Sequence, residues 1–184
     1  MLELPSVPDW ETWLERHHAD RTSAWLVVAK RGSGLASLTT DQALDVALCF
    51  GWIDGQRRRF DDRRFLQRYS PRRAGSDWSQ VNVDKVAALD AAGRMRPAGL
   101  AQVAAARADG RWAAAYPSQA TATTPDDLAA ALAADPVAAE AYGRLGRTGR
   151  YQVFLPLLRA RDPQRRAVLL ARAVAQLRAE ATSA

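Results

Sequence analysis

Between Trp52 and Asn82 the chain gathers side chains that bind or move charge: Trp52, Asp54, Arg72, Arg73, Trp78, Ser79 and Asn82. Arg72 and Arg73 follow Pro71, which stiffens the chain ahead of two planar guanidinium groups. Each can hold a carboxylate or phosphate through two parallel hydrogen bonds. A helix start near Ser79 would add free N–H groups and the positive end of a helix dipole. Trp52 and Trp78 would supply flat walls for a ring or a cation. Together they describe a pocket for a small anionic or aromatic ligand. Lys30 and Tyr69 are weaker members of the same set. Asp54, where a helix ends and a strand begins, is the weak catalytic candidate. A carboxylate whose pKa is raised by burial can serve as acid or base, although the same group could simply orient Arg72 or Arg73. An enzyme acting on a small anionic substrate is therefore the alternative to a binding or sequestering protein.

Other chemistries are disfavoured by composition. The chain has one cysteine, Cys49, and two adjacent histidines, His17 and His18, which is too few for a Cys/His zinc centre. Neither GxGxxG nor GxxxxGK[ST] occurs, so no nucleotide loop is read and no cofactor or metal is expected. No apolar run approaches the roughly 20 residues that span a bilayer. The N-terminal stretch has neither the basic nor the apolar region of a secretory signal, so the expectation is a cytoplasmic protein without a membrane partner.

Charge is concentrated. The net charge is +6, and all the basic residues except Lys30 and Lys85 are arginine. Arg57 to Arg73 holds eight arginines against Asp61 and Asp62, and Arg144 to Arg178 holds nine against Asp162. The first block lies on an expected β-hairpin that turns at the two aspartates. Alternation puts Phe65, Gln67 and Tyr69 on one face and Leu66 and Arg68 on the other, and separates Arg58 from Arg57 and Arg59. Such a hairpin could grip a nucleic-acid backbone while aromatics stack on bases. Nucleic acid is thus a second, less favoured partner.

The elements that must carry these residues suggest an α+β protein: a small mixed sheet with a β-hairpin packed by helices, then an all-helical module. Helices are read at 8–19, from Thr39 with Gln42 completing a capping box, at 79–92 and from Pro97 to about Asp109. Ala24–Lys30 reads as a strand. Thr124-Pro-Asp-Asp127 reads as an N-cap followed by proline and a first turn of acids, and Asp135-Pro136 and Asp162-Pro163 repeat the device. The last helix is expected to bury Val168, Leu169, Val174 and Leu177. The domains are read as 1–116, a linker at 117–123, and a helical domain at 124–184. The oligomeric state is not read from the sequence.

Two stretches carry a family resemblance. One is Ala47-Leu-Cys-Phe-Gly-Trp-Ile-Asp-Gly55, with Leu66-Gln-Arg-Tyr-Ser-Pro-Arg-Arg73 and Trp78-Ser-Gln-Val-Asn82. The other is Arg150-Tyr151 with Ala160-Arg-Asp-Pro-Gln-Arg-Arg166. Together they resemble the bacterial YdeI or OmpD-associated family, also labelled bacteriocin-protection proteins, over about Trp25 to Leu177. The resemblance implies a small helical domain at the C-terminal end and a link to antimicrobial or stress tolerance. It implies no catalytic residues.

Overall fold

The computed structural model describes residues 1–182 as an α+β chain that separates into two compact units. The first comprises residues 1–78 and 82–113, the second residues 79–81 and 114–184.

The first unit begins with α1 (Val7–His17), capped by the Ser6 hydroxyl, then β1 (Ala24–Ala29) and α2 (Thr40–Cys49). Thr39 and Gln42 form the expected capping box, satisfying two backbone donors that a helix start would otherwise leave open. The hairpin β2 (Trp52–Arg59) and β3 (Arg64–Pro71) follows, then α3 (Gln80–Ala91) and α4 (Pro97–Ala108). The sheet order is β1-β3-β2, antiparallel throughout.

Glycine decides two joints. Gly51 ends α2 at φ +74°, a left-handed value that side chains other than glycine's rarely adopt. A Cβ there would also meet the Ala98 carbonyl at 2.9 Å. On α4, a Cβ at Gly99 would meet the Cys49 carbonyl oxygen at 2.3 Å, so α2 and α4 touch backbone to backbone.

One sheet face is core. Trp10 packs on Trp52 and Tyr69 with ring centroids 6.4 and 5.6 Å apart, and Trp13 lies 5.9 Å from Trp52. The other face carries Trp25 and Val27 of β1, Ile53 and Arg58 of β2, and Leu66 and Arg68 of β3. All of these except Val27 are half-buried or exposed. Between Asp54 and Arg57 the β2–β3 register slips, forming a bulge. Gln67, itself buried, donates to the Gly55 carbonyl at 3.0 Å and accepts from Arg57 Nε at 3.1 Å. The backbone polarity that the bulge leaves open is thereby satisfied internally.

The second unit is helical: α5 (Asp126–Ala133), α6 (Pro136–Arg144), α7 (Arg147–Arg159) and α8 (Pro163–Thr182). Its core is Leu128, Leu132, Ala138, Ala141, Tyr142, Phe154, Leu157 and Leu177. Asp135 caps α6, and the Asp162 carboxylate accepts from Arg165 N in the first turn of α8, as expected. Thr124 does not cap α5. The cap position falls on Pro125, and the Thr124 hydroxyl instead meets the Tyr142 hydroxyl at 2.7 Å. Val168 is a second correction: it is 67% exposed, while Leu177 is fully buried. No helix among the described residues is long and apolar enough to cross a membrane.

Candidate functional site

The fold brings together only some of the residues grouped from sequence between Trp52 and Asn82. Trp52 is core, at 1% exposure, with its indole N–H donating to the His18 carbonyl at 3.1 Å. It cannot wall a ligand pocket from there. Tyr69 is fully buried beside it and donates to the Thr40 carbonyl. Burial pushes its phenol pKa far up, the Asp54 charge adding to the effect, so it stays protonated.

Asp54 pairs with Tyr69 across the hairpin but is exposed. Surrounding protein raises its carboxyl pKa, while its own backbone N–H, Arg57 and Arg72 pull the other way. Water reaches the group, so the desolvation is partial. The position is that of a surface carboxylate between arginines, not of a shielded acid or base.

Arg72 and Trp78 are brought together, and both are buried. The guanidinium lies over the indole, 3.7 Å from its centroid, and donates to the Asp77 carbonyl at 2.7 Å. Trp78 packs against Trp112 at 4.9 Å, and the Arg107 guanidinium lies over the Trp112 ring, 5.2 Å from its centroid. Buried Arg111 grips both Asp109 carboxylate oxygens at 2.8 Å and donates to the Ser76 carbonyl at 2.9 Å. The segment after β3 is thus clasped to the segment after α4 by stacked rings and guanidiniums. A planar guanidinium on an indole is favourable, and more so when water is excluded.

Arg73 is exposed. Ser79 is grouped with the second unit, where it bridges Tyr116, and half-buried Asn82 with the first. Lys30 braces the hairpin turn, its ammonium donating to the Asp61 and Asp62 carbonyls at 3.0 Å each. Cys49 is buried, which pushes its thiol pKa up and leaves it a poor nucleophile.

A concave site with unengaged polar groups lies elsewhere, in the second unit. A cleft of about 330 Å³ is lined by Gln119, Thr124, Tyr142, Arg147, Arg150, Tyr151 and Phe154, among others. Its floor is aromatic: Tyr151 and Phe154 meet edge to face at 5.5 Å, and the Tyr142 ring is buried. Arg150 lies over the Tyr142 ring at 5.4 Å and donates to the Tyr142 and Gly143 carbonyls at 3.2 and 2.7 Å, which holds it at the rim. The Arg147 side chain is exposed and makes no hydrogen bond or ion pair among the described residues. The Tyr151 hydroxyl donates to the Pro117 carbonyl at 2.9 Å, and its phenol pKa is raised by burial and by Tyr116. Among the described residues, no carboxylate, imidazole or thiol lines the cleft, and its charged side chains, Arg147 and Arg150, are both cationic.

Sequence reasoning marked Arg150 and Tyr151 only as carriers of a resemblance and missed Tyr142, Arg147 and Thr124. The available signal was the Tyr142–Tyr151 interval, in which two tyrosines and three arginines alternate with glycines across a helix boundary.

These features define a two-unit α+β protein: a small antiparallel sheet with helices, and a helical unit with a cationic, aromatic cleft. Residues 2–102, more than half of the chain, match the family model described as a domain of unknown function (DUF8412), and the chain belongs to that family. Residues 121–180 match the model described as bacteriocin-protection, YdeI or OmpD-associated. The resemblance expected from Trp25 to Leu177 is thus supported over 121–180, and the Gly51-Trp-Ile-Asp-Gly55 and Ser70-Pro-Arg-Arg73 signatures lie in the other family's match. No curated protein and no solved structure matches the chain.

Proposed function

We propose that the protein binds and sequesters a small anion bearing a planar or apolar part, and does not transform it. The observation that carries this reading is the second-unit cleft, with Arg147 and Arg150 at the rim of an aromatic floor. Arg147 is uncompensated and can turn its planar fork to a carboxylate or phosphate. Tyr142, Tyr151 and Phe154 offer the apolar surface that small-ligand sites use for most of their area. Among the described residues the lining offers two guanidiniums and no carboxylate or imidazole, a set suited to holding an anion. The match of residues 121–180 to a family described as bacteriocin-protection supports linking such sequestration to antimicrobial tolerance.

The test is calorimetric titration of the full chain with benzoate and with phenyl phosphate. Saturable binding to one site is expected, weakened at least about tenfold by Arg147→Gln at unchanged melting temperature, the loss of one charge-assisted contact. Binding of neither probe, or equal binding by Arg147→Gln, overturns the reading.

A further inference from the structure

We infer that the open face of the three-stranded sheet binds single-stranded nucleic acid, through Arg58 stacked on Trp25 and through Arg68. The inference rests on the first unit and is independent of the cleft.

The arginines of Arg57–Arg73 separate into engaged and unengaged groups. Arg57 is held by Gln67 and lies over Phe65. Arg59 pairs with Asp62, and Arg63 donates to the Ser33 carbonyl. Arg64 is shared by Asp61 and Glu3, and Arg72 is buried on Trp78. The side chains of Arg58, Arg68 and Arg73 have no carboxylate or hydrogen-bond partner among the described residues, and of these Arg73 lies beyond the end of β3. In the sheet register Arg68 is opposite Trp25 and Arg58 is opposite Leu66, so both arginines share the non-core face with Trp25, Leu66 and Ile53.

This arrangement fits a strand of nucleotides better than a generic acid. The Arg58 guanidinium lies over the Trp25 indole, 4.7 Å from its centroid, and Arg58 is exposed. With the ring on one side and Arg58 exposed, the other side of the guanidinium is open as a planar cationic platform. Unpaired bases stack on both aromatic side chains and guanidinium planes, and a nearby cation tracks the phosphates. Arg68 supplies that cation beside the stack. An acidic polypeptide would use the charges but has no need of a stacking platform between apolar side chains.

Fluorescence anisotropy of the full chain with a labelled single-stranded oligonucleotide of about 12 nucleotides, over a salt series, tests this. Binding is expected, falling with salt. Arg58→Glu with Arg68→Glu should cost at least about tenfold and flatten the slope of log K against log salt by about 1.4, from about 0.7 per phosphate contact. Arg58→Lys keeps the charge and removes the plane. It should cost at least about fivefold with little change in slope, the low end of a lost stacking contact. Arg16→Glu, on α1 beneath the opposite face, should leave affinity within about twofold. Four results would overturn the inference. They are no binding at about 50 mM salt, full binding by the double variant, an equal loss from Arg16→Glu, and displacement by polyglutamate at matched charge.

Discussion

At the scale of single residues, the sharpest constraints come from atoms that are missing. Gly99 has no Cβ because the Cys49 carbonyl oxygen occupies that place. Gly99→Ala must force α2 and α4 apart, and a loss of about 1–3 kcal/mol is expected from urea unfolding, the range for overpacking a rigid contact. At Gly143, in α6, a Cβ would meet nothing within 4 Å, so Gly143→Ala should instead stabilise by about 0.5–1 kcal/mol. Charge at single residues is equally specific. Arg166 grips both Asp127 oxygens at 2.7 and 2.9 Å, and this hydrogen bonding holds the Asp127 carboxyl below the usual carboxylate range. A depressed folded-state pKa stabilises above the unfolded pKa, and that stabilisation is lost as pH falls through the folded one. Both partners are about a third exposed, so water screens the pair and its contribution is about 1 kcal/mol or less. Asp127→Asn should therefore lower the melting temperature at pH 7 but not at strongly acid pH, as read by a pH series of thermal melts.

At the scale of elements, what was legible in the sequence was local. The Thr39 capping box, the Asp135 cap and the hairpin turning at Asp61 are each decided within about four residues, and each is present. Thr39→Ala is expected to cost about 1 kcal/mol in chemical unfolding and Thr39→Ser much less, because the serine hydroxyl can still accept from Gln42 N. Two local readings lose to distant contacts. Thr124 has the right spacing for a cap, but the Tyr142 hydroxyl, 18 residues away, captures its oxygen. Trp52 has the composition of a binding wall, but the α1 tryptophans need a partner and bury it. In both cases a long-range contact outcompetes a local preference.

At the scale of the whole molecule, the net charge of +6 is not a uniform field. Most of the hairpin arginines are engaged by neighbouring groups. Among the described residues, the guanidiniums without a carboxylate or hydrogen-bond partner include those of Arg58 and Arg68 on the sheet and of Arg147 on the cleft. The two units carry different proposed partners, so their responses should be separable. Hydrogen exchange with saturating phenyl phosphate should slow amides in 119–154 and leave 24–71 unchanged. A single-stranded oligonucleotide should do the reverse. Ligand at about 100 times its dissociation constant should stabilise the unit that binds it by about 2.7 kcal/mol. Protection spread evenly over both segments by either probe would contradict the assignment of one partner to each unit.

The sequence by itself determined the α+β class, most helix starts, the hairpin and its face alternation, and the dense arginine block. These depend on periodicity and on capping chemistry, which act over a few residues. Only the tertiary structure decided which arginines are occupied, because a guanidinium's partner is set by what folds against it. Glu3 reaches Arg64 from 61 positions away, and Ser33 reaches Arg63 from 30. The same reason moved the candidate site. Of the groups between Trp52 and Asn82, Trp52 is consumed by the core and Arg72 and Trp78 by their clasp, while Asp54 and Arg73 stay exposed. Thr124, Tyr142 and Arg147 are spread along the chain and are gathered into one cleft by helix packing.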